Sequence, residues 1–247
     1  MSQSIERAVE TLEFVAIRPR TQSEVGAHLG VHRSTALRVL QTLTEYGLTR
    51  RQPDGRYGVG YRLAGLAGLA REQFDLANLA RPYLVTLGEM CSHTIHLAAL
   101  EGERIIYTDK VEQPGMVKLY SQIGAPVCLH TAGVSKAILA YQEPPAVDAI
   151  MANATFERHT DTTITTRAQF DAALADVRER GWSTDDAEYE DYVNCVAMPI
   201  RDSGDKVVAA VSITSLKARA DLDALKQLLP DLTTVTDNIS KELGWRQ

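Results

Sequence analysis

Apolar residues recur at Ile5, Val9, Leu12 and Ala16, one side of a helix that stops before Pro19. The next four residues, Thr21-Gln22-Ser23-Glu24, have the form of a capping box that starts a second helix. Val25 and Leu29 are its apolar contacts, and Gly30 ends it. A third helix follows after almost no gap and is predicted over residues 32–46. Ala36, Leu37, Leu40 and Leu43 give it a core-facing side, whereas Ser34, Arg38 and Gln41 fall at i, i+4 and i+7 and share another face. That polar face carries no acid until Glu45. After Gly47 the pattern shortens: segments ending in Tyr57, Val59 and Tyr61 adjoin the turn Pro53-Asp54-Gly55, a hairpin with Arg50, Arg51 and Arg56 near its tip.

Helix, capped helix, Arg-bearing helix and basic hairpin, in that order, predict a winged helix-turn-helix over residues 1–60. Its third helix is placed to enter a major groove. Residues 61–80, rich in Leu and Ala, keep an approximate three-to-four spacing at Leu66, Leu69, Ala70, Phe74 and Ala77. This predicts a linker helix that helps pair two subunits. A further helix is expected from Arg81-Pro82 to about residue 90. Strands are predicted around residues 94–100 and 104–111, joined by the turn Glu101-Gly102-Glu103-Arg104, with another strand over residues 116–121. A helix over residues 130–141 ends before Pro144-Pro145, and residues 155–166 read as a loop. Thr166-Arg167-Ala168-Gln169 caps a helix that runs to Gly181. Strands over 194–200 and 206–214 pair through Asp202-Ser203-Gly204-Asp205, and a last helix covers roughly 218–243. The fold class is therefore α+β in two domains, the second (residues 81–247) built on a mainly antiparallel sheet.

Charge sharpens the division. The net charge is −6. Residues 1–80 nevertheless hold ten Arg against eight acids, and between Arg18 and Arg62 there are eight Arg and three acids. A basic segment in an acidic chain predicts that one part meets a polyanion and the rest does not. Ser34, Thr35, Arg38 and Gln41 are the candidates for base edges, with Arg33, Arg51 and Arg56 on phosphates. There is no apolar run long enough to span a membrane and no signal-peptide pattern at the start, which leads to the expectation of a cytoplasmic protein. The cysteines, Cys91, Cys128 and Cys195, are far apart and form no C-x-x-C pair.

Two features of the second domain suggest a small-molecule site. In His130-Thr131-Ala132-Gly133-Val134-Ser135-Lys136 the start of a helix would present free N–H groups to a carboxylate or phosphate. Ser212 and Thr214, two apart on an apolar strand, share one face, and buried hydroxyls need partners. Cys195 on the preceding strand could lie nearby. Catalysis finds less support. Cys195 has no neighbouring His, and His93 and His96, three apart on a strand, face opposite sides and make poor joint metal ligands. No metal or cofactor is expected. His130 could contact the ligand region or serve the structure. G-x-S-x-G, P-loop and G-x-G-x-x-G patterns are absent. The rivals to a regulator are a redox enzyme using Cys195 and a DNA-binding protein that takes no ligand.

Together the segments V-H-R-S-T-A-L-R-V-L-Q-T-L-T-E-Y-G-L, K-L-Y-S-Q-I-G-A-P-V-C-L-H-T-A-G-V-S-K-A-I-L-A, D-D-A-E-Y-E-D-Y-V-N-C-V-A-M-P-I-R-D-S-G and V-A-A-V-S-I-T-S make the whole chain resemble the IclR family of bacterial transcription regulators. The resemblance implies a winged helix-turn-helix, a linker helix and a GAF-like effector domain. It further implies dimers, or dimers of dimers, on palindromic double-stranded DNA operators. The implied effector is a small organic acid (a sugar acid, keto acid or aromatic acid), and repression is the expected sign of control. Carrying over the family's pocket pattern points to Met116 and Leu119 as an apolar wall and to Gly133, Val134, Asp185, Cys195, Ser212 and Thr214. Ser135 stands where the family usually has Gly, a change expected to be tolerated within a helix, and Thr214 stands where it commonly has Ser, adding a methyl group expected to change the pocket's shape.

Overall fold

The computed structural model describes residues 3–73, 75–112 and 121–246. It divides into two compact units, Met1–Asp75 and Leu76–Gln247.

The first unit opens with α1 (Gln3–Ile17), α2 (Gln22–His28) and α3 (Arg33–Glu45). Both halves of the predicted capping box form: the Thr21 hydroxyl accepts from the Glu24 amide, and the Glu24 carboxylate accepts from the Thr21 amide. Gly30 takes φ +62, the left-handed turn that lets α3 follow at once. Strands β1 (Thr49–Arg51) and β2 (Tyr57–Val59) pair antiparallel as the wing. The unit's core is Val15, Val25, Ala36, Leu40 and Tyr57. The face of α1 that is buried runs through Thr11 and Val15, while Ile5 (66% exposed) and Val9 (46%) stay in solvent.

Helix α4 (Tyr61–Gln73) starts just after Gly60, where the chain passes so close to Gly47 that a Cβ would lie 2.1 Å from its carbonyl oxygen. The expected helix over 61–80 is thus two helices. Its last residues belong to α5 (Leu76–Cys91), in which Pro82 sits inside the helix instead of starting it. Pro82 removes one helical N–H, but the turns on either side bury Ala80, Leu84 and Leu87, and that burial holds the helix together.

The second unit is a five-stranded antiparallel sheet in the order β4-β3-β7-β6-β5. Its strands are β3 (Thr94–Glu101), β4 (Arg104–Val111), β5 (Ser183–Asp186), β6 (Val193–Arg201) and β7 (Val207–Leu216). Helix α5 and the C-terminal helices α9 (Leu222–Lys226) and α10 (Leu229–Glu242) cover one face through Leu84, Leu87, Leu225, Leu232 and Ile239. Helices α6 (Gly133–Leu139), α7 (Pro144–Met151) and α8 (Arg167–Arg180) lie on the other, around Ile138, Leu139, Phe170 and Leu174.

Three expectations are corrected, and one strand is new. The last helix is two, because the Asp221 side chain caps α9 and Pro230 opens a separate α10. The helix over 130–141 shortens to α6. Pro144-Pro145, read as a stop, instead begins α7, since a first turn needs no N–H from them. Strand β5 was not anticipated. The strand predicted over 116–121 lies, apart from Ser121, outside the described residues.

Candidate functional site

In the first unit, α3 presents Arg33, Ser34, Arg38 and Gln41 to solvent and keeps Ala36, Leu40 and Leu43 buried, with Thr35 half-buried. The His32 ring caps this helix, its Nδ1 accepting from the Ser34 amide at 3.3 Å and lying 2.8 Å from the Ser34 hydroxyl. Among the described residues, the guanidinium groups of Arg33, Arg38 and Arg51 enter no ion pair. Arg56, expected on phosphates, is engaged within the unit. It turns back to Glu24 (3.2 Å) and Asp54 (3.6 Å), and Glu24 also meets Arg18 and Arg20. Hydrogen bonds from Thr21, with Arg56 and Arg18, hold the Glu24 carboxyl below its ordinary value. Glu24 therefore links the capping box to the wing.

In the second unit, alternate residues of four neighbouring strands point to the α6 side and form the floor of a cavity. His96 comes from β3, Ser212 and Thr214 from β7, Cys195 from β6 and Asp185 from β5. Thr131, Gly133 and Val134 close it from the start of α6, and Tyr107, Ser121 and Tyr189 from the sides. All six expected pocket residues among those described meet here; Met116 and Leu119 lie outside the described residues. The cavity has a volume of about 40 Å³, room for water but not for an organic acid.

Sequence reading missed His96, the organiser of the floor. Its Nδ1 is 3.1 Å from the Thr214 hydroxyl and its Nε2 is 2.7 Å from the Ser121 hydroxyl. Burial pushes its pKa down to about 3, so the ring is neutral. The signal was its place on the inward face of β3, obscured by reading it only as half of His93-x-x-His96. The Ser212 and Thr214 hydroxyls are thus already partnered by protein. The buried Thr131 hydroxyl lacks a conventional hydrogen-bond partner and has the Cys128 thiol as its neighbour.

Charge lies beside this floor. The Lys136 ammonium donates to the Glu188 carboxylate at 2.5 Å, and both side chains are at most 9% exposed. The Glu188 amide donates to Asp185 at 2.8 Å, a turn that holds Ala187 at φ +59. Burial raises the Asp185 pKa to about 7 against the pull of Lys136, with repulsion from Glu188 adding to the rise. Burial also raises Glu188. The Cys195 thiol is pushed up to about 12, first by burial and then by Asp185, which makes it a packing group and not a nucleophile.

Packing at Gly133 is close enough to test. A Cβ there would stand 2.6 Å from Cys195 Sγ and 3.4 Å from Ala197. Gly133→Ala should cost about 1–3 kcal/mol, and adding Cys195→Ala should recover part of the loss. Urea unfolding of the two proteins checks this; equal stability would mean that α6 can shift away from the sheet.

A family model for the bacterial transcriptional regulator IclR C-terminal domain matches residues 69–241, and one for the IclR helix-turn-helix domain matches residues 4–53. The chain belongs to the IclR family. It is 27% identical to the HTH-type transcriptional regulator XynR of Escherichia coli over 98% of both chains. It is 28% identical to the DNA-binding transcriptional repressor YiaJ of Escherichia coli, over 99% of this chain and 89% of the relative. The IclR structure from Thermotoga maritima superposes with a TM-score of 0.65 at 27% identity, covering 98% of each chain. IclR proteins are transcriptional regulators, not enzymes, and this chain carries both IclR domains, so its activity is DNA-binding control of transcription. The redox-enzyme alternative fails with the family and with the chemistry of Cys195. No helix among the described residues is long and apolar enough to cross a membrane.

Proposed function

We propose that this protein is a cytoplasmic repressor that binds a palindromic operator as a dimer, or a pair of dimers, and changes its grip when a small organic acid enters the second unit. The observation that carries the DNA half is the exposed stripe Arg33, Ser34, Arg38, Gln41 on α3, with Arg51 on the adjacent wing. Arg38 and Gln41, with Ser34 and Thr35, read base edges, and Arg33 and Arg51 hold phosphates. Arg56 holds the wing through Glu24. Exposed apolar side chains, Ile5 and Val9 on α1 and Leu66 and Leu69 on α4, offer a second copy its contact surface.

Two substitutions separate the roles. Arg51→Ala should weaken binding to all sequences alike and lower the salt slope by about one. Arg38→Ala should change the preferred operators in a selected-site experiment; an unchanged profile would remove it from the reading set.

The effector half rests on the cavity that the six expected residues line, with its polar floor on the sheet. The Thr131 hydroxyl and a protonated Asp185 supply donors for a carboxylate, and the walls must part to admit it. A ligand changes operator affinity only if it favours one arrangement of the dimer, in which the recognition helices must sit about 34 Å apart. Thermal stabilisation across a panel of sugar, keto and aromatic acids tests this, since a ligand at a hundred times its Kd stabilises by about 2.7 kcal/mol. A flat panel, or equal effector affinity with and without operator, would favour a protein that binds DNA regardless of ligand.

A further inference from the structure

Beyond the cavity floor, three side chains with metal-binding chemistry converge where α6's leading segment meets the loop before α8. Cys128 and His130 lie two apart in the turn that leads into α6, closed by the Ala132 amide donating to the Cys128 carbonyl, and His159 comes from the loop. One ligand atom from each lies within 4.8 Å of the others. We propose that Cys128, His130 and His159 bind a zinc-class divalent ion with its fourth position open to solvent.

The orientation of His130 is the first argument. Its Nε2 donates to the Glu157 carbonyl at 3.0 Å, which leaves the Nδ1 lone pair facing Cys128 Sγ at 3.7 Å. A backbone carbonyl on the far ring nitrogen is the usual support of a metal-ligating histidine, since it fixes the tautomer and raises ligand basicity. With zinc–sulfur and zinc–nitrogen bonds of about 2.3 and 2.0–2.1 Å, tetrahedral geometry sets sulfur and nitrogen about 3.5 Å apart. The Cys128–His130 pair is already near that spacing at 3.7 Å, so only His159 must close in, from at most 4.8 Å by up to about 1.5 Å.

The second argument is that His159 is held near its partners while remaining exposed. Its amide donates to the Thr163 hydroxyl at 3.0 Å, and its ring stacks on His130 with centroids 5.7 Å apart. The hydroxyls of Thr160, Thr162 and Thr163 bond in turn to the carbonyls of residues 186–188. On its outer side His159 lines an open surface depression of about 620 Å³, which gives an ion a path in and a position for water.

Three protein ligands with one open position is the arrangement zinc adopts where it must also accept a further ligand. Binding converts the Cys128 thiol to a coordinated thiolate and releases its proton to solvent. The ion would tie the loop to the segment that leads into Thr131. His159 also packs on Tyr189, with ring centroids 4.6 Å apart. Thr131 and Tyr189 both wall the cavity, so occupancy would stiffen two of its sides.

The test uses the full-length protein, freed of metal by a chelator and titrated with cobalt(II) and then zinc(II). One cobalt per chain is expected, with the thiolate-to-cobalt charge-transfer band and visible bands of a four-coordinate site, bleached when zinc displaces it. Cys128→Ser should abolish the charge-transfer band, whereas Cys91→Ser should keep it. His159→Ala, at an exposed position that leaves folding intact, should weaken cobalt affinity at least tenfold. No charge-transfer band in the parent protein, a band that survives Cys128→Ser, or unchanged affinity in His159→Ala would each overturn the site.

Discussion

Lys136→Met should lower the unfolding free energy of the second unit by about 3–5 kcal/mol at pH 8, the range for breaking a buried ion pair. Lys136 is the cation set between Glu188, 2.5 Å away, and Asp185, whose pKa it pulls down. Removing it leaves two buried carboxyls with no compensating charge. At pH 5 the loss should be smaller, because Asp185 is then neutral. Replacing Glu188 as well, in Lys136→Met/Glu188→Leu, should recover most of the stability, since an apolar pair of similar volume needs no compensation. Both tryptophans, Trp182 and Trp245, lie in this unit, so their fluorescence in urea reads the right transition. A double variant no more stable than Lys136→Met would show that α6 needs the charge for its position.

Asp185→Asn is expected to act in the opposite direction. The carboxyl titrates near pH 7 in the folded protein and near 3.9 when unfolded. Between those values the folded state holds the extra proton. This contribution to stability is fully present below about pH 4 and is lost as pH rises through about 7. The amide, which cannot ionise, escapes that loss and can still accept from the Glu188 amide. The variant should match the parent near pH 4 and exceed it by a few kcal/mol at pH 8, because each tenfold difference in proton affinity between the folded and unfolded chain is worth roughly 1.4 kcal/mol. If the proposed effector is a carboxylate that meets protonated Asp185, its affinity for the parent should also fall about tenfold for each pH step of one above 7. In the variant that slope should vanish. A stability difference that stays constant from pH 4 to pH 8 would mean that Asp185 is ionised in the folded state throughout.

The legibility of this chain in its sequence follows the range of the interactions. The capping box at Thr21–Glu24, the left-handed Gly30 and the Pro53-Asp54-Gly55 turn are decided within a few residues, and the DNA-binding unit was readable from them. Ser212 and Thr214 were correctly placed on one face because strand alternation is local. What holds their hydroxyls was not visible, since His96 reaches Thr214 only through the pairing of β3 with β7. Lys136 and Glu188 are 52 positions apart, and nothing near either announces the other. Strand β5, Ser183–Asp186, was missed because its four residues are all polar; Ser183 and Asp185 are buried by the tertiary structure. The misread proline positions share a cause. By propensity alone Pro82 starts a helix and Pro144 stops one, whereas packing in α5 and the first-turn position in α7 decide their structure.

The sheet carries a consequence for how such regulators diverge. The three central strands that contribute His96, Cys195, Ser212 and Thr214 to the cavity give their intervening residues, such as Ile95, Val196 and Ile213, to the opposite core. One face can therefore be rewritten by mutation while the other goes on supporting the fold. If the cavity takes the proposed effector, its specificity could change through a few inward-facing substitutions, without first acquiring stabilising changes elsewhere.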